Sequence, residues 1–106
     1  MPRSFDIQVA AEGPDLVARV SGELDLAVRA QLVARVSDAL SAADPPGRLV
    51  ADLGDVTFCD SSGLAALLDL QRVATDTGFR LMLRDVPPQV ARLLDLTDVD
   101  GWLPRE

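Results

Sequence analysis

The stretch Val56-Thr57-Phe58-Cys59-Asp60-Ser61-Ser62-Gly63-Leu64 sits where an apolar strand pattern gives way to an apolar helical one. Asp60, Ser61 and Ser62 place a carboxylate and two hydroxyls at that junction. The first turn of a helix leaves backbone N–H groups unpaired, and Asp and Ser side chains cap them. The same helix end carries partial positive charge and tolerates an added anion such as a phosphate. Capping alone accounts for these residue types, so spacing leaves two readings open: a plain cap, or a cap that also presents a functional hydroxyl.

Working outward toward the N-terminus, residues 49–53 form a short, mostly apolar strand of the kind found inside a sheet, and Gly54-Asp55 reads as a turn. Before it, Val28, Leu32, Val36 and Leu40 recur every fourth residue and predict a helix over 27–43. Asp25 is placed to cap it, and Asp44-Pro45-Pro46-Gly47 stops it. Arg29 falls inside the apolar arc, so its stem is expected over the core with its head in water. Phe5, Ile7 and Val9 alternate with polar residues, Gly13-Pro14 supplies a turn, and residues 16–20 resume strand character. The result is a hairpin that Gly22 is expected to end.

On the other side, a helix is predicted over 62–77, apolar on more than half of its circumference, with Gly78 as its C-cap. Its charged stripe is Asp69, Arg72 and Asp76, at spacings that pair along a helix. Residues 79–84 alternate as a strand, and Pro87-Pro88 opens a third helix near 89–96 with Val90, Leu93 and Leu94 inward. Residues 99–103 could add a short edge strand with Trp102 packing, and Asp98 with Asp100 reads as a solvated turn. The order is β-β-α-β-α-β-α(-β): an α/β domain spanning 1–106, with a small mixed sheet and helices packed on it. In such sheets function gathers past the carboxyl ends of strands, so the Asp25 and Asp60-Ser61-Ser62 junctions are expected to meet at one end.

Composition narrows the chemistry. The 106 residues include ten arginines but no His, Lys or Tyr, and the formal net charge is −7. Without His the usual general base and the commonest metal ligand are missing, and without Lys there is no Schiff-base or P-loop lysine. A single Cys59 excludes an internal disulfide and reads as a small packed residue. The acidic balance argues against nucleic acid as a direct partner. There is no apolar run of transmembrane length and no signal-peptide core at the N-terminus, so no membrane insertion and a cytoplasmic location are expected. No cofactor, metal or catalytic residue is implied.

Gly22-Glu23-Leu24-Asp25, an amphipathic helix, the strand at 49–53, and then Phe58-Cys59-Asp60-Ser61-Ser62-Gly63-Leu64 together resemble a STAS domain, and more narrowly a bacterial anti-sigma-factor antagonist. The resemblance covers essentially the whole chain. It implies the STAS fold and a phosphorylation-switched binding module rather than an enzyme. By the same resemblance Ser61, the first Ser of Asp-Ser-Ser-Gly, is phosphorylated by the cognate anti-sigma factor, an ATP-using serine kinase, and a serine phosphatase reverses the step. The unphosphorylated form binds that kinase and a sigma factor is released for transcription. Asp25 is implied to lie beside the phosphorylation site, and the partner-binding set is Asp25, Asp60, Ser61, Ser62, Gly63 and Leu64, with Leu68 a further candidate. Leu26 and Ala27 depart from the polar residues often found after this Asp, and Ala65 and Ala66 depart from the family's pattern after Gly-Leu. Oligomeric state is left between monomer and weak dimer.

Two rivals remain at this level. A Ser nucleophile is disfavoured because Asp60-Ser61-Ser62-Gly63 is not Gly-x-Ser-x-Gly and no His is present to activate it. A STAS regulatory or structural subunit of a lipid-transport or other signalling complex, with no phospho-switch, shares the fold and is separated only by chemistry at Ser61.

Overall fold

The computed structural model describes residues 5–97 and 102–106. The elements are β1 (Phe5–Glu12), β2 (Asp15–Leu24), α1 (Leu26–Ser41), β3 (Gly47–Cys59), α2 (Ser61–Asp76), β4 (Phe79–Arg84) and α3 (Pro88–Thr97). The strands form one sheet in the order β1-β2-β3-β4. β1 and β2 pair antiparallel across the Gly13-Pro14 turn, and β2–β3 and β3–β4 are parallel, joined through α1 and α2. A mixed sheet is what a hairpin followed by helical crossovers must give.

One face of the sheet carries the core. Ile7, Val20, Ala18, Leu49, Ala51, Leu81 and Leu83 are buried there with Val28, Leu32 and Val36 of α1, Leu67 and Leu70 of α2, and Val90 and Leu94 of α3. Fully burying a Leu stabilises by about 1.5–3 kcal/mol, so the fourth-residue spacing of α1 is enough to fix which of its faces turns inward. On the other face Val17 and Val50 are also buried, and Met82 is next to Val50 in register. The charged residues flanking them pair with one another: Arg48 with Asp15 at 2.8 Å, Arg84 with Glu106 at 3.2 Å, and Arg19 with Asp52 at 3.9 Å. The side-chain hydrogen bond from Arg48 holds the Asp15 carboxyl below its ordinary value.

Several expectations are corrected. Gly22 does not end β2, which runs on to Leu24, and Gly54-Asp55 does not turn the chain, because β3 continues to Cys59. Turn chemistry gave way to pairing. The β2–β3 register steps from Arg19↔Asp52 to Ser21↔Asp55, and from Gly22↔Val56 to Glu23↔Phe58, so β3 carries an extra residue at each place. The extra residues form bulges. Gly54 N–H donates to Asp52 Oδ1 at the first, and Gly22 takes φ 90, which only glycine adopts without strain. α1 ends at Ser41, two residues before the predicted 43, with Ala42 as its C-cap. α2 starts at Ser61 rather than 62, with Asp60 as its cap. The head of Arg29 stays part-exposed at the surface, as expected, and there its Nε donates to Asp69 Oδ2 of α2 at 2.7 Å.

Most of the expected 99–103 strand, and the Asp98-Asp100 pair, lie outside the described residues. The tail instead docks further on. Leu83 N–H donates to Pro104 O and Glu106 N–H donates to Leu83 O, both at 2.8 Å, which lays residues 104–106 along β4. Trp102, expected to pack, is 66% exposed, and Leu103 is the buried residue of this segment. Among the described residues no helix is long and apolar enough to cross a membrane.

Candidate functional site: two capped helix starts at the ends of β2 and β3

β2 and β3 are parallel neighbours, and their last residues, Leu24 and Cys59, are paired. Each strand is followed by one aspartate and then a helix. Paired residues of adjacent strands are about 5 Å apart, so the register alone brings Asp25 and Asp60 to one rim of the domain. Both residues have extended backbones and both act as caps. Asp25 Oδ1 accepts from Ala27 N–H at 3.0 Å. Asp60 Oδ1 accepts from Ser62 N–H at 2.9 Å and from Gly63 N–H at 3.0 Å, while its carbonyl accepts from Leu64 N–H at 2.9 Å. One carboxylate oxygen thus satisfies two of the first-turn donors of α2.

Ser61 is the first helical residue of α2 and is exposed; Asp25, Asp60 and Ser62 are half-buried. Gly63 and Leu64, expected among the partner-contacting residues, are buried. Leu64 belongs to the core, so its apolar side chain anchors the helix start from below. Gly63 brings the first turn of α2 close against the end of β2. A Cβ there would lie 2.3 Å from the Leu24 carbonyl oxygen and 2.7 Å from Cys59 Sγ, so only glycine lets the two junctions close up. Leu68 is half-buried against the core.

Burial, and next to it the Asp60 carboxylate, push the Cys59 thiol up to about 11. It is therefore a thiol, not a thiolate, at neutral pH, and packs as one. The rim segments 20–28 and 54–66 hold Glu23, Asp25, Asp55 and Asp60 and no arginine. These carboxylates do not gather into a cation site: no group of three metal-binding side chains exists among the described residues.

Two apolar residues that sequence reasoning did not place at the site flank the caps. Leu26, directly after Asp25, is 69% exposed, and Phe58, two residues before Asp60, is 46% exposed. Leu26 was legible as a leucine off the core arc of α1. Phe58 was not, because the bulge that leaves both Thr57 and Phe58 facing solvent depends on pairing with β2.

A family model described as "Mlab, STAS domain" matches residues 7–105. The anti-sigma F factor antagonist of Paenibacillus polymyxa is 30% identical over 89 residues, covering 84% of this chain and 75% of that protein. An anti-sigma factor antagonist from Mycobacterium paratuberculosis has a similar crystal structure, with a TM-score of 0.77 at 29% identity, covering 99% of this chain and 87% of that one. The unphosphorylated form of SpoIIAA superposes with a TM-score of 0.75 at 22% identity, covering 97% of this chain and 88% of that one, a likeness of fold. With a matching family model over nearly its full length and relatives of the same kind, this chain belongs to the STAS-domain family of anti-sigma-factor antagonists.

Proposed function

We propose that this chain is an anti-sigma-factor antagonist switched at Ser61. Unphosphorylated, it binds an anti-sigma factor that is also an ATP-using serine kinase, and a sigma factor is thereby freed for transcription. The kinase transfers the γ-phosphoryl of ATP to Ser61 Oγ, and a serine phosphatase removes it. The chain has no His or Lys, and in this reading the kinase supplies the ATP site.

The observation that carries this reading is Ser61 itself: exposed, first in α2, and set at the rim where both capping aspartates lie. A phosphate there adds about −1.5 to −2 charges at neutral pH. The helix end favours that charge, and the cap from Asp60 already secures the first turn, so the fold has no reason to change. The cost falls on the interface. The new charge stands near Asp25 and Asp60 and must lose water wherever a partner packs over it. A loss of about 3 kcal/mol weakens binding more than a hundredfold.

The test is intact mass after incubation with ATP and each candidate serine kinase of the same genome. One added phosphate on wild type and none on Ser61→Ala is the expected result. No phosphate from any kinase would remove the switch and leave a STAS subunit without one.

A further inference from the structure

The sheet has two edges, and they are closed in different ways. At β4 the chain's own tail lies along the strand, with Leu83 N–H donating to Pro104 O and Leu83 O accepting from Glu106 N–H. At the other edge, β1 pairs only with β2 among the described residues. The hairpin register says which backbone groups of β1 lie outside that ladder. Glu12 and Asp15 are paired and flank the two-residue Gly13-Pro14 turn. In a two-residue hairpin the flanking pair exchanges its backbone hydrogen bonds, and bonded pairs then alternate along the ladder. Asp6, Gln8, Ala10 and Glu12 therefore bond to β2, and Phe5, Ile7, Val9 and Ala11 turn their N–H and C=O groups outward. Such a row is a template for one more strand.

Arg35 of α1 reaches this row. Its Nη2 donates to Ile7 O at 3.3 Å, so a charged head from the helix layer sits on one of the outward carbonyls. A second copy of this chain is the strand that the row fits best. In a two-fold antiparallel pairing centred on Gln8, Ile7 faces Val9, Phe5 faces Ala11 and Asp6 faces Ala10. The Ile–Val pairs are the favourable kind, and no like charges stand directly opposite. The bonds at the centre of that pairing run through Ile7 O, the atom that Arg35 holds. We propose that the outer edge of β1 is a latent pairing surface for a second copy of this chain, and that the Arg35 bond to Ile7 O keeps it shut. Charged side chains placed at a sheet edge block strand addition in this way. The device is separate from the switch at Ser61 and needs no kinase.

The test is sedimentation equilibrium over a concentration series of three full-length chains: wild type, Arg35→Ala and Arg92→Ala. Arg92 is exposed on α3 and serves as the control. Both substitutions remove one positive charge from a chain of net charge −7, which by itself opposes self-association. Arg35 is exposed, and thermal melts verify that each variant is folded. Arg35→Ala should tighten self-association by about tenfold or more, because each dimer regains two backbone acceptors. Wild type and Arg92→Ala should stay equally weak. Amide exchange locates the contact: in Arg35→Ala the N–H groups of Ile7, Val9 and Ala11 should slow as concentration rises. Arg35→Ala associating no better than wild type would overturn the proposal. So would association of Arg92→Ala to the same degree, or association of Arg35→Ala that leaves those three amides unchanged. A wild type already paired through those amides would show that Arg35 shuts nothing.

Discussion

A Cβ built on Gly63 would lie 2.3 Å from the carbonyl oxygen of Leu24. The last residue of β2 and the first turn of α2 are therefore in backbone contact, and that contact holds the two capped helix starts together. The obstacle is a strand carbonyl next to the Asp25 cap, which cannot swing aside like the end of a side chain. Gly63→Ala should cost about 1–3 kcal/mol, the usual range for overpacking a tight site. A lowered urea midpoint with unchanged m-value would show it. An unchanged midpoint would mean α2 is seated less closely against β2 than the distances require.

The two aspartates cap their helices, and capping can be separated from charge. Asp60→Ala should cost about 1 kcal/mol, within the 0.5–2 range for lost caps, because two backbone donors lose their acceptor. Asp60→Asn and Asp25→Asn keep an acceptor oxygen and should stay within a few tenths of wild type, since Asn and Asp cap about equally well. If Asp25 also engages a partner's cation, Asp25→Asn should weaken kinase binding at unchanged stability. Equal loss of both would reduce Asp25 to a cap.

The thiol of Cys59 offers a pH test. Its folded value, about 11, is above the ordinary 9.0 because burial and the Asp60 carboxylate both disfavour the thiolate. The folded state thus holds its proton where the unfolded state loses it. This contribution to stability is fully present below pH 9 and is lost as pH rises through about 11. Cys59→Ala should flatten stability over that window. Alkylation of the native thiol near pH 8 should be slower than that of the unfolded chain by on the order of a hundredfold, the ratio of thiolate fractions. Equal rates would show that Cys59 is solvated.

Much of this architecture could be read from the chain. The fourth-residue spacing of Val28, Leu32, Val36 and Leu40 predicts the buried face of α1, and Asp25 and Asp60 announce both caps. Strand and helix alternation sufficed to bring those caps to one end. What escaped depends on pairing between segments distant in sequence. Gly54-Asp55 has the composition of a turn, yet β2 draws it into a bulged strand. That bulge turns Phe58 outward, and no local pattern carries the information. The part-exposed head of Arg29 was legible, but its partner was not, because Asp69 lies forty residues away on another helix. That Leu64 is turned into the core could not be read from its place three residues after Ser61, which says nothing of its direction in space.

The most direct test of the account compares the affinity of the anti-sigma kinase for two preparations of this chain, unphosphorylated and carrying one phosphate on Ser61, by titration calorimetry, with amide spectra recorded on both. The account predicts binding weakened by about a hundredfold or more on phosphorylation. It also predicts spectral changes confined to the Asp25 and Asp60–Leu64 rim, because the charge acts at the interface and leaves the fold alone. Equal affinity of the two forms would contradict it.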